Sequence, residues 1–502
     1  MIGAVLLDLV GIFTALVAVG YAYLKWTQQY WKRKNIPYVE PSSIFGNVQN
    51  PLSRESDFRG AVAAIYNKAK VNGWRHVGLY SLSRPVYMPV DVELVKNVMA
   101  KDFNHFVDRG LYVPTFFALG GKRWRNLRVK LTPTFTSGKL KSMFQTLVDC
   151  GLVMERENVS STHAIDIKDI LGNFSTDIIG SCAFGIECNS FKQPDSPFRA
   201  HSKNFFSRTK IGQLKGIFAQ NFPRLARSLG VKLINPEVSQ FYTKVVEDTV
   251  RYRLENNYKR KDLLQLLIDM KTENEGQDDG YVGDGNSLTM NEIVAQCFLF
   301  FIAGFETSSS TMTFALFELA NHQDLQERVR EELSTILAKH NNQVTYDSLN
   351  ELKYMKQVID ETLRMYPPLS FVTRTCVKDY KVPDEDVVIE KGTRVFIPVQ
   401  GIHYDERYFK DPEVFDPERF NEANKKNIRQ YSYLPFGEGP RLCIGERFGI
   451  MQTKVGLSCI LRNFKVTLNK KTQLPLKMDP TKILPVAKGG IWLNLEKLDS
   501  KI

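Results

Sequence analysis

The sequence predicts an α-rich α+β fold, mainly helical with small β-sheets. Long stretches between about residues 140 and 270 carry apolar residues at helical spacing, and Thr289 to Leu319 is apolar on nearly every side. Strand character is confined to two short regions, Val77 to Val90 and Val387 to Val399. Many helices with a small strand region define that class.

From Met1 to Leu24 the chain is apolar except for Asp8, close to the roughly 20 residues that span a bilayer. Lys25, Lys32, Arg33 and Lys34 follow, so the positive-inside rule puts this end in the cytosol and the N-terminus in the lumen. A cleaved leader is the competing reading, helped by Ala18-Val-Gly20, but no basic region precedes the apolar run. The segment has no polar face, which disfavours a helix lying on the membrane surface. Pro37 and Pro41 forbid a continuous helix and stiffen the connection. The expected organisation is an anchor at 1–24, a basic, proline-containing linker at 25–41 and one domain at 42–502.

Within that domain, Val77 to Val90 reads as two strands around Ser81 to Arg84. The Gly- and Asp-rich stretch Gly276 to Ser287 misses the spacing of a calcium loop and reads as a solvated surface loop. Thr289-Met-Asn-Glu292 is a capping-box pattern that opens the long apolar helix. Roughly ten apolar residues before Gly304 fall short of a membrane span, so this helix belongs in a core. Gln326 to Lys339 is a charged amphipathic helix begun near Asn321 or Asp324. Glu361 and Arg364 stand at i and i+3, within pairing distance, on a helix that Pro367 and Pro368 end. Val387 to Val399 reads as a second strand pair turning at Lys391-Gly392, and His403 as a structural hydrogen-bonder.

Charge narrows the function little. A formal net charge of +12 suits a membrane surface, an acidic protein or nucleic acid, but no helix-turn-helix or zinc-finger spacing appears and the basic residues form no stripe. Nucleic acid is therefore not an expected partner. Seven cysteines without a Cys-x-x-Cys pair suggest reduced thiols in a cytosol-facing protein, and exclude zinc and thioredoxin-like sites.

Two segments carry chemistry. Phe436-Gly-Glu-Gly439-Pro-Arg441-Leu-Cys443-Ile-Gly445 sets one cysteine in a glycine-rich loop that can bend sharply and approach a flat macrocycle. Cys443 reads as the thiolate ligand of a haem iron, a ligand that favours O–O cleavage, and Arg441 as a partner for a haem propionate. The other is Ala303-Gly304-Phe-Glu306-Thr307 inside the long helix, where a glycine costs about 1 kcal/mol and a buried unpaired glutamate more. Either Gly304 admits a flat ligand or dioxygen while Thr307 and Glu306 hand on protons, or Gly304 serves a helix–helix contact with Glu306 in a structural ion pair.

With these segments in order, the chain resembles the cytochrome P450 superfamily from its anchor to its last strands. The ordered set is Ala303 to Thr307, Glu361 with Arg364, Pro417 to Phe420, and Phe436 to Gly445. The anchor and Leu131 to Leu140 are similar to microsomal members, closest to the insect xenobiotic-metabolising group. The resemblance implies a P450 fold with haem between the long helix and the cysteine loop. It also implies haem b (iron protoporphyrin IX) as cofactor, with Cys443 on iron. Trp124 and Arg128 match a pair that contacts haem propionate, Arg374 and Arg441 match two further propionate arginines, and Phe436 opens the loop. Arg419 would complete a buried triad with Glu361 and Arg364, costly unless every partner is present. Glu306 stands where many members have aspartate.

The implied reaction places one oxygen atom of O2 in a lipophilic substrate and the other in water, with protons arriving through Thr307 and Glu306. No Gly-x-Gly-x-x-Gly fingerprint follows the cysteine loop, so electrons must come from another protein. The resemblance names NADPH-cytochrome P450 reductase, with cytochrome b5 as an optional donor, at the endoplasmic reticulum membrane. Arg123, Arg125, Lys130 and Lys139 are candidates for a basic docking face. Phe106, Phe116, Phe117, Phe298, Phe301, Phe305, Val372 and Leu484 fall where the family lines its pocket. Two alternatives share the fold: a narrow-specificity hydroxylase of hormones or fatty acids, and a reductase-independent isomerase. A non-catalytic haem or lipophile-binding protein is a third.

Overall fold

The computed structural model describes residues 2–47, 58–112, 118–158, 164–193, 196–205, 209–260, 262–272, 288–482 and 484–498. The expected surface loop Gly276 to Ser287 lies outside them. The chain divides into two compact units: Met1–Tyr112, Thr209–Leu233 and Phe371–Gly401 form one, and Val113–Arg208, Ile234–Ser370 and Ile402–Ile502 the other.

The first unit begins with the helix Ile2–Thr27, whose stretch Val5–Thr27 has a mean hydropathy of 2.1 and no burial. A short helix, Tyr30–Arg33, follows and is tied down by one tryptophan. Trp31 is completely buried; its indole N–H donates to the Leu79 carbonyl at 3.0 Å and its backbone N–H to the Tyr80 hydroxyl at 3.0 Å. The closeness of that packing shows at Gly78, where a Cβ would stand 2.3–2.6 Å from the Trp31 ring. Gly78→Ala is therefore expected to destabilise the fold by roughly 1–3 kcal/mol through overpacking. A thermal unfolding midpoint equal to wild type would refute that.

Beside this tryptophan lies a four-stranded sheet. His76–Ser81 and Arg84–Pro89 form the expected antiparallel hairpin, with Val77 opposite Met88. Arg84–Pro89 then runs parallel to Arg394–Ile397, which pairs antiparallel with Val372–Thr375. The expected strand pair at Val387 to Val399 is corrected here. Both strands exist, but Val388–Ile389 pairs with Tyr380–Lys381 in a separate ribbon. Arg394–Ile397 has neighbours on both edges, so no edge remains for the strand just before it.

In the second unit the helix Met290–Asn321 is the central element. Its start is built as expected: the Thr289 side chain accepts from the Glu292 N–H at 3.3 Å, and Glu292 accepts from the Thr289 N–H at 2.9 Å. This helix is apolar enough to cross a membrane, yet most of it is buried by protein, which marks a core helix. Ile167–Ile179, Pro236–Glu255, Lys353–Met365 and Glu446–Leu461 surround it. A three-stranded sheet of Ile165–Asp166, Trp492–Lys497 and Phe464–Leu468 completes the unit.

The charged triad forms in this unit. Both Glu361 and Arg364 are fully buried, and the arginine donates from Nε at 2.7 Å and Nη2 at 2.8 Å to the two carboxylate oxygens. Arg419 Nε lies 3.2 Å from Oε1, and the Asp416 N–H donates to the same oxygen at 3.0 Å. Both oxygens of the carboxylate are thus occupied by donors.

Candidate active site at the cysteine loop

The loop that carries Cys443 is shaped by its own backbone and held from behind. Gly437 and Gly439 adopt φ of +74° and +71°, a left-handed conformation that favours glycine. The Gly437 N–H donates to Leu434 O at 3.0 Å, and the Cys443 N–H to Phe436 O at 3.0 Å. Behind the loop, the Leu434 N–H donates to His403 Nε2 at 2.8 Å. An accepting Nε2 puts the proton on Nδ1, which donates to the Arg364 carbonyl at 2.9 Å. Burial pulls the His403 pKa down to about 3, so the imidazole stays neutral and keeps that tautomer. The triad is thereby connected to the cysteine loop through one histidine, the structural hydrogen-bonder expected from sequence.

Cys443 differs from the other six cysteines. It alone is exposed; Cys150 is half-buried and the remaining five are buried, and none is in a disulfide. Burial pushes the Cys182 thiol up to about 12 and Cys376 up to about 11, and drives Cys150, Cys188, Cys297 and Cys459 higher still. Those thiols stay protonated at neutral pH.

The exposed sulfur opens into a cavity between the loop and the long helix. Phe436, Ile444 and Gly445 of the loop line it beside Cys443, as do Ala303, Gly304, Thr307 and Ser308 of the long helix. The lining is overwhelmingly apolar, with Phe135 and Phe300 stacked at 5.7 Å between centroids. Near the loop, the Arg441 guanidinium is buried 3.9 Å over the Trp124 ring and donates to Leu119 O at 2.6 Å. Arg128 donates to Leu442 O at 2.8 Å; burial lowers its pKa, and Cys443 in its charged form opposes that shift. Cys443, Phe436, Arg441, Trp124, Arg128 and Thr307 thus gather in one unit.

Arg374 belongs to the other unit, on the strand Val372–Thr375. Its charge is 1% exposed and no carboxylate faces it among the described residues, so burial lowers its pKa to about 10. Nη1 donates to the adjacent Thr373 carbonyl at 2.9 Å, while Nε has no partner among the described residues. A buried guanidinium with an idle donor is the chemistry a propionate satisfies.

Thr307 and Glu306 point in different directions. The Thr307 hydroxyl lines the cavity and donates to the Ala303 carbonyl at 2.5 Å. Glu306 is buried, does not line the cavity, and has its Oε1 3.0 Å from Lys168 Nζ. The same ammonium donates to Ser309 at 2.9 Å and Ser310 at 2.7 Å, and burial lowers its pKa. Gly304 lines the cavity and also admits a neighbour: a Cβ there would meet Ile179 Cδ1 at 2.4 Å.

The expected pocket lining needs correction on the helix. Phe301 and Phe305 are completely buried and Phe298 nearly so, in a cluster with Phe184, Phe198 and Tyr242, and none lines the cavity. Phe300 does, because Phe300, Gly304, Thr307 and Thr311 recur at i, i+4, i+7 and i+11 on one face. Counting from Gly304 would have found it. Leu484 is buried away from this cavity, Phe106 and Val372 lie in the first unit, and Phe116 and Phe117 fall outside the described residues. Of the docking candidates, Arg125 and Lys139 are exposed, Lys130 is half-buried, and Arg123 is ion-paired with Glu292.

A family model described as Cytochrome P450 matches residues 40–493. The chain belongs to the cytochrome P450 family. It is similar to probable cytochrome P450 6a23 of Drosophila melanogaster, 42% identical over 487 residues that cover 93% of this chain and 95% of the relative. Cytochrome P450 6A1 of Musca domestica is 39% identical over 515 residues, covering 100% of this chain and 99% of the relative. The expected likeness to the insect group is borne out, and this P450 is a monooxygenase of that group. The family implies a haem cofactor, and its members use a redox partner and lipophilic substrates. The exposed thiol, the apolar cavity and the buried guanidinium of Arg441 beside the loop fit such a group.

Proposed function

We propose that this P450 is a membrane-bound haem-thiolate monooxygenase of lipophilic compounds, xenobiotic or endogenous. Its electrons come from NADPH through NADPH-cytochrome P450 reductase, with cytochrome b5 as an optional second donor, at the endoplasmic reticulum membrane. The carrying observation is that the one exposed sulfur among seven shares an apolar cavity with the Thr307 hydroxyl. The anchor reading rests on the unburied apolar helix at Val5–Thr27.

Haem b bound at Cys443 supplies the activation of dioxygen. The chain's own residues do the rest: Cys443 holds the iron as thiolate, while Arg441 and Arg128 neutralise acidic groups on that side and Trp124 braces Arg441. Arg374 takes a propionate role on the strength of its lone buried charge. Phe436 lines the loop side, and the apolar walls exclude water. Thr307 presents a hydroxyl to the cavity and is the inner proton donor. Glu306, paired with Lys168, holds the outer proton, so delivery requires the carboxylate to exchange that partner for Thr307 or water.

Reconstitution of the full chain with reductase tests this reading. Product formation is expected to require both NADPH and reductase, and Thr307→Ala to consume NADPH largely without product. Turnover that persists without reductase, or tight coupling in the alanine variant, would overturn it.

A further inference from the structure

The first unit holds a pair of arginines that no acidic group neutralises among the described residues. Arg84 and Arg394 lie on adjacent parallel strands, where Val86 is the partner of Arg394. Side chains two apart on a strand share a face, so Arg84 and Arg394 emerge on the same side of the sheet, within reach of one another. Both are half-buried. The Arg84 side chain makes no hydrogen bond or ion pair among the described residues, while Arg394 donates from Nη2 only to the backbone and side-chain oxygens of Gln220, both neutral. Burial lowers the pKa of both, and the charge of Arg84 lowers that of Arg394 further, to about 10. Two cations held together out of water without a counter-charge are a standing cost that a bound anion removes.

We propose that Arg84 and Arg394 form a site for the phosphate of an acidic phospholipid. This rests on the membrane-bound reading above. Guanidinium groups bind phosphate oxygens bidentately, and a pair on one face matches a single such headgroup. The surroundings favour lipid as the source. Arg84 stands two residues after Leu82, whose carbonyl accepts from the Gln28 side chain at 3.3 Å, one residue beyond the anchor helix Ile2–Thr27. Gln220 lies on the helix Lys210–Asn221, which leaves Ile211 67% and Leu214 42% exposed. The site is thus bordered on one side by the exit of the anchor and on the other by exposed apolar side chains, the surroundings of a headgroup whose acyl chains stay in the bilayer.

The test uses the full-length haem protein in phosphatidylcholine vesicles with and without phosphatidylserine, followed by thermal unfolding. Phosphatidylserine is expected to raise the wild-type midpoint by a few degrees. Arg84→Gln should unfold above wild type in phosphatidylcholine alone, because it removes a like charge, and should lose the phosphatidylserine shift. Its affinity for the acidic lipid should fall roughly tenfold or more. Arg84→Lys, which keeps the charge without the fork, should retain part of the shift. An Arg84→Gln protein that inserts normally and keeps the full shift overturns the site, as does inorganic phosphate reproducing the shift in phosphatidylcholine. A wild-type chain that fails to insert in phosphatidylcholine overturns the membrane-bound reading itself.

Discussion

Replacing Cys443 with serine is expected to abolish the red-shifted absorption band of the reduced carbon monoxide complex and reduce monooxygenase turnover to background, while leaving the fold almost as stable as wild type. The two halves of that outcome have separate causes. Serine does not ionise near neutral pH, so the variant offers no anionic ligand to push electron density onto iron. The fold survives because Cys443 is exposed and contributes little packing, and because the loop is shaped by Gly437, Gly439 and the His403 contact at Leu434. Cys376→Ser is the control: that thiol is pushed up to about 11 by burial, is protonated at neutral pH, and should leave the band in place. Thermal unfolding and the carbon monoxide difference spectrum of both variants check the prediction. A Cys443→Ser protein that keeps the band would remove the thiolate assignment.

The parts of this molecule that were readable in sequence are those whose signal is local. The capping box at Thr289, the hairpin around Ser81 to Arg84 and the glycine spacing before Cys443 each depend on residues within a few positions of one another, and each is built as expected. Long-range partners were not readable. Nothing near Val388 says that it pairs with Lys381 while Arg394 enters a central strand, because that choice is made by Arg84–Pro89 and Val372–Thr375 competing for its edges. Lys168 lies 138 positions from Glu306, so local sequence alone could not distinguish a relay carboxylate from an ion-paired one. Phe298, Phe301 and Phe305 failed for another reason. On a helix buried all round, apolar character no longer reports which side faces a ligand; position relative to Gly304 does.

The largest stability loss is expected from Glu361→Gln. The carboxylate receives two hydrogen bonds from Arg364, one from Arg419 and one from the Asp416 N–H, all at a completely buried position. An amide matches the shape but supplies neither the charge nor enough acceptors, leaving one fully buried guanidinium and a second that is 12% exposed without neutralisation. Breaking a buried pair by removing one member costs about 3–5 kcal/mol, a large share of the roughly 5–15 kcal/mol that holds a typical domain together. The damage should not stay local. Arg364 accepts from His403 through its carbonyl and donates to the His403 carbonyl at 2.9 Å, and His403 in turn holds Leu434 at the root of the cysteine loop. Glu361→Gln should therefore lower the yield of folded protein and, in what remains, lower the fraction that retains haem with the thiolate band. Arg419→Lys supplies the contrast, since it is less buried and makes a single 3.2 Å contact to the carboxylate; it should cost far less and leave the band intact. Denaturant unfolding with haem content measured on the same samples separates the cases. Equal losses in the two variants would show that the triad acts as an ordinary ion pair, without the path through His403 to the loop.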